Sequence, residues 1–198
     1  MKLEGQKGSQ SLGSAAWGPL RLHSDGSLHV ASGHGKHTDA AMEGRLFSVC
    51  NQTVVATSAA LTTTWTGLGI GNPSTSGKNA IIHEFAWALR KKPDGESSLG
   101  LMESAIAAGF VHSLTAICAK DAAGTSGMYI DAGATISTPI LTRIYQSFGE
   151  SENWIHSPIG RIDLNGSIVL PPGRCLTTYS SKGFAECQFH FVWEEVDV

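Results

Sequence analysis

The stretch of this chain that most resembles working chemistry is Asn72-Pro73-Ser74-Thr75-Ser76-Gly77-Lys78. A glycine followed by lysine is how a phosphate-cradling loop ends. That loop, G-x-x-x-x-G-K-[ST], holds phosphates on backbone N–H groups and magnesium on its hydroxyl. Here Asn72 stands where the first glycine belongs, and Asn79 stands where the hydroxyl belongs. Residues 79–89 then alternate like a strand instead of opening a helix. With no helix N-terminus there is no dipole to receive a phosphate. The segment therefore reads as a turn joining two strands of a hairpin, with Lys78 on its rim.

Other candidates weigh the same way. His34-Gly35-Lys36-His37 places two imidazoles three residues apart, but in a glycine-rich stretch with no Cys pair nearby; a metal needs more ligands and a rigid support. His83, His112, His156 and His190 fall on or near strands. A cupin-type metal sandwich, the enzyme that such histidines could serve, uses H-x-H with a glutamate following, and no H-x-H occurs. His83 and Glu84 are neighbours, so a regular strand points them to opposite faces. No serine sits in G-x-S-x-G. Glu194-Glu195 also alternate across a strand, whereas a glycosidase needs two carboxylates about 5 to 9 Å apart across a cleft. The basic run Arg90-Lys91-Lys92 is balanced by Asp94 and Glu96 and reads as a solvated turn. Cys50, Cys118, Cys175 and Cys187 contain no C-x-x-C, which argues against zinc-ribbon and redox sites. They read as buried thiols of a chain made in a reducing cytoplasm. The expectation is a chain with no catalytic residues, no cofactor and no metal, and not an enzyme.

The elements around these residues are strands. Charged residues are only 16% of the chain, hydrophobic residues 41%, and there are 23 glycines. That balance favours short strands and tight turns over helices. So low a charge also suits a surface covered by other subunits. The net charge of -3 argues against nucleic acid as a partner. No run of 18 apolar residues suggests a membrane span, and the N-terminus has no apolar signal region.

Residues 1–42 are poor in large apolar side chains and read as an N-terminal arm, with the domain proper at 43–198. Within the arm, residues 20–30 suggest a small hairpin about Asp25-Gly26. Trp17, Leu20, Leu22, Leu28 and Val30 are its candidate contact residues for a partner. Strands are expected at 46–50, 53–57, 63–71, 79–89, 110–119, 128–131, 140–148, 161–164, 167–170, 174–179 and 185–195. Residues 99–108 are the one plausible helix. Asn165-Gly166 is a strong hairpin signal. In the last strand Cys187, Phe189, Phe191 and Trp193 share one face, and Glu186, Gln188, His190, Val192 and Glu194 the other. Phe85 and Trp87 are expected to pack against that aromatic face. Strands and turns at this spacing suit an antiparallel sandwich or barrel.

Three pieces taken together carry a resemblance: Thr62 to Leu68 followed by Asn72-Pro73-x-x-Ser76-Gly77-Lys78; Asp131-Ala132-Gly133-Ala134-Thr135; and Leu164 to Arg174 with the terminal Phe189-His190-Phe191-Val192-Trp193-Glu194-Glu195. The chain resembles tailed-bacteriophage virion structural proteins of the jelly-roll capsid decoration, or cement, type. The resemblance covers about residues 46–195. It implies an all-β antiparallel sandwich of jelly-roll type with an extended N-terminal arm. It also implies a homotrimer on the outer capsid surface of the virion that bridges copies of the major capsid protein, with no nucleic acid or membrane partner. The rival expectation is a receptor- or glycan-binding head of a tail fibre or spike.

Overall fold

A computed structural model describes residues 4–7, 16–19, 36–91, 95–106, 110, 112–121, 124–149, 159–184 and 186–198. The chain divides into two units, Met1–Lys36 and His37–Val198. In the first, β1 (Glu4–Lys7) and β2 (Ala16–Pro19) pair antiparallel. The hairpin expected over residues 20–30 lies outside the described residues.

The second unit opens with one helical turn, α1 (Thr38–Met42). Strands follow: β3 (Leu46–Cys50), β4 (Thr64–Gly71), β5 (Lys78–Leu89), β6 (Ser97–Ala105) and β7 (Ile117–Cys118). After them come β8 (Tyr129–Thr135), β9 (Ser137–Phe148), β10 (Ile159–Leu170), β11 (Arg174–Ser180) and β12 (Cys187–Asp197). Sheet 1 has the order β10-β5-β12-β3-β7 and sheet 2 the order β8-β4-β11-β6-β9, with every pairing antiparallel. The two five-stranded sheets pack face to face, so the chain is an all-β antiparallel sandwich. Among the described residues no helix is long and apolar enough to cross a membrane.

Alternation builds the core. In β12 every second residue from Cys187 to Glu195 is buried. Phe85 lies 6.0 Å from Phe189 and 5.0 Å from Phe191, ring centre to ring centre, as the aromatic pattern requires. Leu68, Ile70, Leu99, Leu101 and Leu176 of sheet 2 close the same core from the other side. Each such side chain contributes about 1.5–3 kcal/mol on burial.

Several local expectations are corrected. Strands β4 and β5 are not a hairpin: they lie in different sheets, and the polar turn between them carries the chain across the sandwich. Residues 97–105 are strand, not helix. β6 is hydrogen-bonded to β11 on one side and β9 on the other, and a central strand buried on both faces loses the period-two pattern that marks a strand. In place of the strand at 53–57 there is a single bridge, Val55 to Cys187. Of 110–119 only Ile117–Cys118 is described as strand. Asn165-Gly166 turns with positive φ (50° and 73°), but the chain does not reverse. Asp163 pairs with Glu84 and Ile168 with Ile82, so 164–167 form a bulge in one continuous strand.

Phe110 helps to explain why the outer face of sheet 2 is buried over its central strands. A second cluster of Trp65, Met102, Phe110, Ile136 and Cys175 covers it. Phe110 lies nearly parallel to Trp65 at 6.4 Å and rests over Gly69 and Gly71. A Cβ at Gly71 would come within 2.8 Å of its ring.

Candidate functional site

The polar turn is a buried hydrogen-bonding corner. The Asn72 side chain is fully buried, and its Nδ2 donates to Lys78 O (2.7 Å) and Leu170 O (2.8 Å). Its Oδ1 accepts from Ser76 Oγ (2.5 Å). Its N–H donates to Arg174 O at 2.8 Å, and its carbonyl accepts from Gly173 N at 2.7 Å. Asparagine, not glycine, is needed here because the turn must satisfy two strand ends at once. Lys78 is not a free rim residue: its ammonium pairs at 3.2 Å with the buried carboxylate of Glu195.

The richest collection of chemical groups lies on the outer face of sheet 1, and a bulge assembles it. On β12, Val192 and Trp193 are consecutive, yet they pair with Glu84 and Ile82 of β5, leaving His83 as an extra residue. The strand changes phase there. Ala80 and Ile82 face the core together with Phe85, Trp87 and Leu89, while His83 and Glu84 both turn outward. The expectation that His83 and Glu84 face opposite ways is thereby corrected.

Two linked networks result. His83 Nε2 lies 3.2 Å from Glu194 Oε2, and the His83 ring sits 4.1 Å from the ring of His37, at the start of α1. The other Glu194 oxygen takes Arg45, which also binds Glu43 at 2.7 Å. Beside this, Glu84 pairs with Arg161 at 2.6 Å and with His190 Nδ1 at 3.5 Å. Cys50 is the cross-strand partner of His190. The carboxylate, imidazole and thiol of Glu84, His190 and Cys50 thus follow one another across three strands, beside a hollow of about 240 Å³ whose lining includes Ala86, Ala88, Gln188 and Ile159.

This series is not an activated nucleophile. The Cys50 thiol donates to its neighbour's carbonyl, Asn51 O, at 3.6 Å, and burial pushes its pKa up. A working thiolate needs the opposite shift, from a cation or a helix N-terminus. Among the described residues no group of three His, Cys, Asp or Glu side chains is placed to hold a metal ion. A second hollow, about 480 Å³, is lined by Glu96, Ser98, Ser147 and Ser181 among others, and so presents hydroxyls and a carboxylate.

Of the residues expected to contact a partner, Trp17 lies on β2 with its backbone opposite Gln6. Leu20, Leu22, Leu28 and Val30 lie outside the described residues. The outer-face cluster was not anticipated as a site. Its ingredients were visible as His190 and Glu194 on one face of the last strand. The bulge that adds His83 and Glu84 has no signature in the alternation.

Comparison of the chain with protein-family models, with curated proteins and with solved structures gave no match.

Proposed function

We propose that this chain is a non-enzymatic structural protein of a tailed-bacteriophage virion. Within that class it is a capsid decoration, or cement, protein, seated as a homotrimer on the outer head surface and bridging copies of the major capsid protein. The observation that carries the reading is the wrapping order of eight strands. Sheet 1 contains β10-β5-β12-β3 and sheet 2 contains β4-β11-β6-β9. Taken in chain order, β3 through β6 alternate between the sheets, and so do β9 through β12. That order is the one a double Greek-key jelly roll would give, and it supports that reading; the architecture is common to viral capsid and lectin domains. The strands β7 and β8 are then additions, one at an edge of each sheet.

The job suits what the molecule offers. A filled head is stabilised by any subunit that binds the assembled lattice and not its parts. Three linked attachments hold far better than one, even when each contact is weak. Exposed Ile140 and Ile144 on a weakly charged sandwich suit a surface that is covered in an assembly. The Met1–Lys36 unit, with Trp17 and the neighbouring leucines, is the segment proposed to contact the capsid.

The test is copy number and head fragility. Hundreds of copies per particle, and heads that break more readily on heating when the protein is missing, are the expected results. Particles equally robust without it would refute the reading. Removing Met1–Lys36 is expected to leave a folded sandwich that no longer binds heads. The competing reading, a receptor- or glycan-binding tail-fibre head, draws on the hydroxyl-lined hollow at Glu96, Ser98 and Ser147. It requires a handful of copies per particle and loss of adsorption, with head strength unchanged.

A further inference from the structure

We propose that the hollow on the outer face of sheet 1 is a self-association site, in which Ile159 of one copy enters the hollow of a second copy and the second copy's Ile159 enters the hollow of the first. Ile159 opens the edge strand β10 and is 81% exposed, among the most exposed large apolar side chains of the described residues. It stands in the wall of the 240 Å³ hollow, beside Ala86 and Ala88. An apolar knob next to an apolar hole of matching chemistry is self-complementary. A two-fold axis between two copies places each knob over the other's hole.

Three observations favour a second copy over another occupant. First, the exposed Ile159 and the hole beside Ala86 and Ala88 lie side by side on one patch, so the patch carries both halves of the contact that a second copy would complete. Second, the ionic groups near the hollow are balanced and mutually paired: Arg161 with Glu84 at 2.6 Å, and Arg90 with Glu186 at 3.9 Å. A copy of the same patch therefore meets no net charge, although the chain as a whole carries -3. Third, the pairs are satisfied within each copy, so docking leaves no charge newly unpaired. The patch is small, and contacts burying less than about 1,200 Å² are weak and concentration-dependent. An isologous contact joins copies in pairs and does not close a ring of three. It is therefore separate from the threefold assembly proposed above and does not rest on it.

The experiment is sedimentation of the purified chain over a range of concentrations, with Ile159→Asp and Ala88→Phe as variants. The first puts a charge on the knob and the second fills the hole. Both positions lie on the solvent side of sheet 1, and unchanged near-ultraviolet dichroism establishes that each variant folds. The expected result is a wild-type mass that rises at high concentration well above that of either variant, to twice it where the basic unit is a single chain. The apparent dissociation constant should weaken at least roughly tenfold in each, the scale of one buried aliphatic side chain. A second readout uses the native thiol: Cys50 lines the hollow, so a short bis-maleimide should link Cys50 to Cys50 between copies in the wild type and not in Ile159→Asp. Equal masses and equal cross-linking in all three proteins would overturn the proposal. So would variants that keep the wild-type mass but lose binding to phage heads, since that assigns the hollow to the capsid.

Discussion

The ammonium of Lys78 lies 3.2 Å from Oε2 of Glu195, a carboxylate with no solvent exposure at all. The contact joins the end of the sheet-crossing turn to the last strand. The same carboxylate accepts from Ser126 Oγ at 2.6 Å, from Gly127 N at 3.1 Å and from Trp193 Nε1 at 3.4 Å. One buried acid thus ties three separate parts of the chain together. The lysine that looked like part of a phosphate loop is one of its donors.

Replacing either partner should be costly. Glu195→Ala strands the Ser126 hydroxyl and the Gly127 N–H inside the protein, a loss of about 2–4 kcal/mol. Lys78→Met leaves the wholly buried Glu195 carboxylate without its cation, so it should cost about 3 kcal/mol although Lys78 itself is 38% exposed. Urea unfolding of the two variants compares them directly. A loss under about 1 kcal/mol in Lys78→Met would mean that the hydrogen bonds, and not the ion pair, hold this corner.

The corner at Asn72 should be equally sensitive. Asn72→Ala removes two side-chain donations and one acceptance, all at a fully buried position, and is expected to cost about 3 kcal/mol. Asn72→Gly, the residue a phosphate loop would carry, should be no better, because glycine restores none of those bonds. A shift in urea midpoint below that of an ordinary surface substitution would contradict the assignment.

Phe110 and Gly71 should behave as one unit. Phe110→Ala opens a hole over sheet 2 and should cost about 3–5 kcal/mol. Gly71→Ala collides with the Phe110 and Ile106 side chains and should also destabilise. Together the two should cost less than their sum by more than about 1 kcal/mol, since removing the ring makes room for the methyl. Strict additivity in a double-mutant cycle would show that Phe110 does not occupy this position.

The thiols give a pH dependence with a definite sign. Burial pushes Cys175 from 9.0 up to about 11 and Cys187 from 9.0 up to about 12. The folded chain therefore holds protons that the unfolded chain releases first. Their contribution to stability is complete below pH 9.0, begins to fall above it, and is gone once pH passes about 11 and about 12. Unfolding midpoints between pH 7 and 10 should decline toward the alkaline end, and less steeply in Cys187→Ala once its own stability loss is subtracted. At pH 8 a thiol reagent should label Cys50, the exposed cysteine, well ahead of the other three.

Much of the sandwich was legible because alternation is a local signal. Leu46–Cys50 is a strand with the expected bounds, and β5, β11 and β12 begin and end within a few residues of expectation. The aromatic face of β12 is buried as its spacing requires. Legibility failed where burial or pairing was not local. β6 hides its strand character by being buried on both sides. Asn165-Gly166 has ideal turn chemistry, but the residues after it return to the same partner strand. Gly67, Gly69 and Gly71 in alternate positions of β4 are a signal that reading for turns and hydrophobicity passes over. Gly69 and Gly71 floor the space that Phe110 fills.

By itself the order of residues determined the class of the protein. Period-two apolar patterns, many turns and few charges leave an antiparallel β structure as the way to bury this chain, and those are properties of short windows. The tertiary structure alone decided which strands meet. It set β4 and β5 in opposite sheets, and it turned the phosphate-loop lookalike into a corner clamped by Asn72. It brought Glu84, His83, His190, Glu194 and Cys50 onto one face through a single extra residue in β5. The physical reason is register: a one-residue slip reverses every side chain beyond it, and only pairing with β12 and β10 reveals where that slip occurs.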